Sequence, residues 1–348
     1  MDNFITDLHI KNFKSVKDLE IKCKRINIFI GKPNTGKSNI LEAMSLFCAP
    51  YDLNKDYLFK DFIRYEKFSN LFYDNEISEP IEIITNTETA IINKGNNYYW
   101  YFSSGDPNII RGYLNASSKD TFHRALKEKD DNYFYKMTSF LNIGEDGSMP
   151  AKPSGNNATE NPVKKYVFAN SSFNVGQHYL YLTPPCGNNL PSIVLTNKSL
   201  RDDISNYFKE YGLNFVLRIG ENNVEVQKRM ENFAWTYPYS LTSDTLQRMI
   251  FYLAAIKSNS GSVLLFEEPE TRLYPSFITD TAKAIAGSKE NQFFITTHNS
   301  SLIDTILEDS DDEDVSVFEV SYHDYQTCAK ELTHDEIFDI RKTGPAVL

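Results

Sequence analysis

The sequence predicts an α/β fold: a mixed central sheet, an antiparallel β layer beside it and a helical lobe. Three observations predict it. The apolar run Ile26-Asn27-Ile28-Phe29-Ile30 leads straight into Gly31-Lys32-Pro33-Asn34-Thr35-Gly36-Lys37-Ser38, and residues at helical spacing follow. A second apolar run, Val263-Leu264-Leu265-Phe266, ends in Glu267 and Glu268 about 230 residues later. A third, Phe293-Phe294-Ile295-Thr296, closes on Thr297 and His298. Neighbouring strands of a parallel sheet deliver their C-terminal ends to one edge, so these distant segments are expected to meet there.

The elements follow in order. Leu8-His9-Ile10-Lys11 and Leu19-Glu20-Ile21-Lys22-Cys23 alternate as strands do. After the glycine loop, Ile40, Leu41, Met44 and Phe47 mark the inward face of a helix. From residue 55 to 105 the pattern is short and strand-like. Ile81-Glu82-Ile83-Ile84 and Tyr98-Tyr99-Trp100-Tyr101-Phe102, separated by the turn material Lys94-Gly95-Asn96-Asn97, read as an antiparallel layer. Residues 106–235 are less regular, with a polar Gly/Asn/Ser/Pro stretch from Gly144 to Pro162 and no heptad pattern. They read as an inserted helical and irregular lobe between two parts of one core, 1–105 and 236–348. Regular order returns with a helix carrying Leu246, Met249, Ile250, Leu253 and Ile256. The strand Val263–Phe266 comes next, and then a helix after Pro275. The strand Phe293–Thr296, a helix with Leu302, Ile303 and Ile306, and the strand Val315–Phe318 complete the sheet.

Composition bounds the function. The chain has 348 residues, 41% hydrophobic and 24% charged, enough for a substantial core. No apolar run approaches the roughly 20 residues of a membrane span, and Met1-Asp2-Asn3-Phe4 does not open a signal peptide, so a cytoplasmic protein without membrane contact is expected. Cys23, Cys48, Cys186 and Cys328 are scattered, without the pairing that zinc or a disulfide framework needs. The net charge of -11 argues against a surface built for nucleic acid. A local basic groove over Lys11, Lys14, Lys17, Lys22, Lys24 and Arg25 stays open as a reading, although such lysines are more often solubilising. The acidic run Glu308–Asp314 reads as a solvated loop.

The chemistry lies in the loop and the strand ends. Gly31 to Ser38 fits a phosphate-binding loop, whose backbone N–H groups curl around phosphate oxygens at a helix N-terminus. Lys37 is placed to reach the β- and γ-phosphates and Ser38 to ligate Mg2+. Gly31, Asn34, Thr35, Gly36 and Asn39 complete the loop. Glu267 and Glu268 are adjacent on a strand, so their side chains diverge. Glu267 is expected on the metal side, and Glu268 is expected to orient and polarise the hydrolytic water. Glu270 fits a capping or interface carboxylate at least as well as a catalytic one. His298 would ordinarily be a satisfied strand-end histidine. Its expected place beside Glu268 and the loop suits a donor to the γ-phosphate instead.

These segments resemble a known group, the ABC-type ATPase heads of the AAA family allied to the OLD (overcoming lysogenization defect), SMC and RecF proteins. The resemblance rests on Leu8-His9-Ile10-Lys11-Asn12-Phe13-Lys14-Ser15, Gly36 to Ala43, Glu267-Glu268-Pro269-Glu270 and Thr297-His298-Asn299-Ser300. It covers both ends of the chain and leaves about 150 middle residues supported by position alone. It implies ATP and Mg2+ as cofactors, Lys14 among the nucleotide-binding residues, and a head-to-head dimer. In that dimer Ser243, within Ser240–Arg248, contacts the γ-phosphate held by the opposite subunit. The chain departs from the pattern at Asp244, where many relatives have glycine, and at Glu267, where aspartate is more usual. It also has no glutamine before residue 177 to link the metal to the second lobe, and Asn70, Asp74 and Asn75 are the nearest substitutes. Slow hydrolysis is expected.

About 50 residues follow His298, too few for the Toprim nuclease that many relatives append. The expected partners are therefore a second copy and a separate effector such as a nuclease or toxin, in phage defence or DNA maintenance. The alternative is an ATP-dependent scaffold that sequesters an effector, with hydrolysis incidental. A GTPase fits poorly, because Asn197-Lys198-Ser199-Leu200 lacks the aspartate that reads guanine. A small-molecule kinase would leave the paired glutamates and the distal histidine without a purpose.

Overall fold

The computed structural model describes residues 3–106, 112, 138–150, 161–169, 173, 179–218 and 223–337. The central sheet has six strands: β3 (Ile26–Ile30), β8 (Val163–Tyr166), β12 (Val263–Glu267), β13 (Gln292–Thr296), β14 (Val315–His323) and β15 (Gln326–Glu331). Their order is β15-β14-β3-β13-β12-β8. All are parallel except β15, which turns back along β14. The sheet is therefore mixed, as expected, and residues from both ends of the chain lie side by side in it.

Every residue of β3 is buried, which is why the segment reads as an unbroken apolar run. Its side chains alternate between two cores. Phe29 faces the first core and stacks on Phe318 (ring centroids 5.3 Å apart) and Phe294 (6.4 Å). Ile26, Ile28 and Ile30 face the second. The same alternation splits β12, with Val263 and Leu265 on one side and Leu264 and Phe266 on the other.

The first core is closed by an antiparallel sheet in the order β2-β1-β4-β5-β6-β7. Its strands are β1 (Asp7–Phe13), β2 (Val16–Lys22), β4 (Ile81–Thr85), β5 (Thr89–Lys94), β6 (Tyr99–Ser104) and β7 (Thr138–Ile143). Helix α1 (Lys37–Met44) lies in this core through Ile40, Leu41, Ala43 and Met44. It is shorter than its apolar spacing suggests. From Ser45 to Tyr51 the chain tightens into a 3-10 helix that contains Pro50, so Phe47 is buried from that segment.

The second core is roofed by helices α2 (Leu190–Thr196), α3 (Lys198–Glu210), α4 (Asp244–Ser258), α5 (Pro275–Gly287) and α6 (Ser300–Glu308). Beside it stands a three-stranded antiparallel sheet of β9 (Asn214–Arg218), β10 (Asn223–Met230) and β11 (Phe233–Pro238), in the order β11-β10-β9.

Within residues 106–235, β7 extends the antiparallel layer and β8 extends the central sheet. Strand β8 escapes sequence reading because it contains Lys164 and Lys165, both buried. Lys164 donates to Asn259 Oδ1 (2.7 Å) and Ser262 Oγ (3.0 Å), and Lys165 donates to the Phe62 carbonyl (2.8 Å). The middle of the polar stretch Gly144–Pro162 lies outside the described residues.

The two charge extremes of the sequence meet. Arg25 donates to Asp314 Oδ2 at 2.9 Å, while Lys24 donates to the carbonyls of Asp312 and Val315. Lys14, Lys22 and Arg25 of the basic opening are paired with Glu42, Asp7 and Asp314 within the fold. Among the described residues, no helix is long and apolar enough to cross a membrane.

Candidate functional site

The glycine loop joins β3 to α1 at the C-terminal edge of the central sheet. Two of its glycines are required by space. A Cβ on Gly31 (φ 141°) would stand 2.2 Å from the Val320 carbonyl oxygen, and one on Gly36 (φ 95°) would stand 2.0 Å from Thr327 Oγ1. Asn34 takes the left-handed conformation (φ 65°), which asparagine tolerates better than most residues. Thr35 donates from its hydroxyl to the Lys32 carbonyl at 3.0 Å.

A polar clip fixes the loop from outside. Thr327 Oγ1 donates to the Thr35 carbonyl (2.9 Å) and lies 2.6 Å from Ser15 Oγ, which also receives the Asn39 amide at 2.6 Å. Strand β15 and the turn between β1 and β2 therefore hold a backbone cradle open. Asn39, expected to bind nucleotide, positions this clip.

Lys37 is buried and folds back over the loop, donating to the carbonyls of Gly31 and Lys32 at 2.8 Å each. Burial lowers its pKa, and the charge of Glu268 works in the opposite direction. The loop after β3 and the end of β12 flank the end of β13 at the same sheet edge. The two motifs share one site.

Glu267 ends β12. Its carboxylate accepts from Arg64 Nη2 at 3.2 Å and lies 3.5 Å from the Lys165 ammonium. Burial would raise its pKa, yet Lys165, Ser38 and Arg64 together hold it below the ordinary carboxylate range. Glu268 follows in the left-handed region (φ 44°), its N–H donating to the Thr296 carbonyl at 2.9 Å. This turn separates the two carboxylates as their adjacency requires. Glu268 Oε1 lies 3.6 Å from His298 Nε2. Burial and the Lys37 charge lower the His298 pKa while Glu268 opposes them, which favours the neutral ring.

Glu270 is buried, accepts from Thr297 Oγ1 at 2.5 Å and from the His298 N–H at 3.3 Å, and leaves its Oε2 without a hydrogen-bond partner. It holds the backbone that carries His298. Burial raises its pKa against those hydrogen bonds.

The structure thus brings together Gly31, Asn34, Thr35, Gly36, Lys37, Ser38, Glu267, Glu268 and His298. Lys14 stands differently: its ammonium pairs with the buried Glu42 carboxylate and donates to the Arg64 carbonyl at 2.6 Å. Asn70 is used within its own turn, accepting from the N–H groups of Glu66 and Lys67 and donating to Asn75 Oδ1. Ser243 is exposed at the N-terminus of α4 and its side chain makes no cap hydrogen bond. Asp244 is engaged sideways, accepting from Arg248 Nε at 3.0 Å with Arg272 Nη1 at 3.9 Å.

Two residues of the site, Arg64 and Lys165, have no motif to announce them; a third, Glu42, lies in the stretch from Gly36 to Ala43 but was given no role there. Arg64 bridges Glu42 (2.8 Å) and Glu267 (3.2 Å), and Lys165 reaches Glu267 from β8. Glu42 is part of α1 and 1% exposed, so its charge is tolerable only because Lys14 and Arg64 surround it. An isolated glutamate inside an apolar helical face was the available signal.

Among the described residues, no group of three His, Cys, Asp or Glu side chains converges as a metal cage. The donor set instead suits Mg2+, which keeps waters and takes few protein oxygens beside phosphates. Ser38 and Glu267 would hold it.

The chain is 21% identical over 331 residues to an ATP/GTP phosphatase of Helicobacter pylori, covering 87% of both chains. It is 33% identical over 88 residues to an uncharacterised Methanocaldococcus jannaschii protein, covering 23% of this chain and 39% of that one. A solved SMC head domain from Thermotoga maritima has TM-score 0.40 and 13% identity, with 94% and 99% of the two chains covered. A second AAA-domain model, whose description refers to AbiEii toxins and type IV TA systems, matches residues 183–304. The model described as the AAA ATPase domain matches residues 4–179, just over half of the chain, including β3, the phosphate loop and α1. The chain belongs to the AAA ATPase domain family.

Proposed function

We propose that this protein is an ABC-type ATPase that binds ATP with Mg2+, hydrolyses it slowly, and uses it to close two copies of the chain head to head. The observation that carries the reading is the convergence of Lys37, Ser38, Glu267, Glu268 and His298 from β3, β12 and β13 on one sheet edge. When bound, Mg2+ would offset charge on the triphosphate, with Ser38 and Glu267 holding it. The rest belongs to the chain. The loop N–H groups and Lys37 receive phosphate oxygens, Lys37 exchanging two carbonyls for them. Glu268 orients the attacking water and accepts its proton, and neutral His298 donates a hydrogen bond to the γ-phosphate.

Ser243 of the second copy completes the site. The exposed helix N-terminus with a free hydroxyl supports this role, since such a terminus favours an anion. Closure then depends on the γ-phosphate, and hydrolysis reopens the pair. The output is control of a separate effector, in phage defence or DNA maintenance.

Two substitutions test the reading. Glu268→Gln should keep nucleotide binding, lower turnover at least about a hundredfold and trap a dimer in ATP that light scattering resolves. Lys37→Ala should abolish nucleotide binding. Normal turnover in Glu268→Gln would remove that residue from the chemistry and with it the proposed mechanism.

A further inference from the structure

From residue 232 to 243 the chain carries no charged side chain, Asn-Phe-Ala-Trp-Thr-Tyr-Pro-Tyr-Ser-Leu-Thr-Ser, although 24% of the whole sequence is charged. Within this run only Tyr239 is buried. Phe233, Trp235 and Tyr237 alternate along β11, so they share one face of the sheet. They are 70%, 49% and 44% exposed, and Leu241 beyond them is 72% exposed. Their cross-strand partners Met230, Lys228 and Val226 lie on the same face. Val226 is buried in the second core, so the aromatic row continues that apolar face outward past the edge of the body. Among the described residues, strand β11 is also an edge strand of its sheet. An edge strand with an exposed aromatic face is a site for association.

We propose that this face, from Phe233 to Leu241, is covered by a second copy of the same chain. Charge selects that occupant. Two copies of a protein with net charge -11 repel each other wherever their ordinary surfaces meet, and this run brings no charge to the contact. Lys228, opposite Trp235, is the charged neighbour on this face. Continuity selects it too: the run ends at Ser243, the N-terminus of α4. The inference rests on the reading that Ser243 faces the opposite subunit, and it adds the apolar anchors that hold the pair beside that phosphate contact.

Trp235 makes the proposal measurable, because the other tryptophan, Trp100, is 4% exposed. In the full-length Glu268→Gln protein with ATP and Mg2+, acrylamide quenching should fall severalfold on dimer formation. Trp235→Ser and Tyr237→Ser in that background should weaken dimerisation about tenfold or more, with ATP binding by the monomer unchanged. If a dimer forms while Trp235 stays as quenchable as in the monomer, and both variants dimerise normally, the docking face is wrong and the nucleotide-gated dimer stands. Ser243→Arg tests that dimer separately. Absence of any dimer overturns both. Protection of Trp235 in the monomer by single-stranded oligonucleotide, lost in Trp235→Ser, would overturn the proposal in favour of a nucleic-acid platform.

Discussion

Arg64 shows how one side chain sets the terms for its neighbours. It is tied to Glu42 and Glu267 but its side chain is 73% exposed, so it can leave; Lys165, 2% exposed and bonded to the Phe62 carbonyl, cannot. Metal arriving at Glu267 competes with Arg64 for the same carboxylate. An exposed ion pair is worth about 1 kcal/mol or less, so Arg64→Gln should lower the Mg2+ concentration that half-saturates nucleotide binding by up to about fivefold. Nucleotide binding titrated against Mg2+ checks this, with binding in EDTA as the control that separates metal competition from phosphate contact. An unchanged Mg2+ dependence would show that Arg64 does not compete. Glu270 acts through its neighbour. Glu270→Ala removes the acceptor for Thr297 Oγ1 and the His298 N–H, so turnover should fall while ATP affinity holds. Equal losses in both would mean that the fold, rather than the placement of His298, depends on it.

At the scale of elements, the phosphate loop works because β15 and the β1–β2 turn grip it. Gly36→Ala would meet Thr327 Oγ1 and Ser15 Oγ at a backbone angle that side chains avoid. It should cost about 1–3 kcal/mol and weaken ATP binding more than Thr327→Ser, which keeps the hydroxyl. Equal ATP affinity in Gly36→Ala and wild type would show that the loop yields without losing its shape. The loop itself was legible because strand, glycines and helix are local in sequence. The end of β12 was legible for a similar reason: a buried parallel strand reads as an apolar run, and Glu267 interrupts it. The clip was not, since Ser15 and Thr327 are 312 residues apart and, although Ser15 ends the Leu8–Ser15 motif, Thr327 belongs to no pattern. Strand β8 was hidden by Lys164 and Lys165, whose burial depends on acceptors supplied by distant segments. Periodicity records which residues face a core. It does not record which ammonium will find a carbonyl.

For the whole molecule, the central sheet is a wall between two cores, and the first core stores a pH dependence outside the nucleotide site. Glu88, between β4 and β5, accepts from Asn161 Nδ2 at 2.7 Å, and burial pushes its pKa from 4.5 to about 7 against that hydrogen bond. A carboxyl with a folded pKa above its unfolded value keeps its proton in the folded chain while the unfolded chain has lost it. The folded state binds more protons between about pH 4.5 and 7, so this contribution is full below that window and is lost as pH rises through it. Glu267 has the opposite sign, being held below its ordinary value, and its contribution is present above pH 4.5. Stability measured from pH 5 to 8 should therefore decline through the Glu88 window while the Glu267 contribution stays constant. In Glu88→Gln, which carries no titrating group there, the decline should flatten, and the melting temperature at pH 8 should exceed that of wild type by a few degrees. Parallel curves for the two proteins would assign the decline to groups other than Glu88.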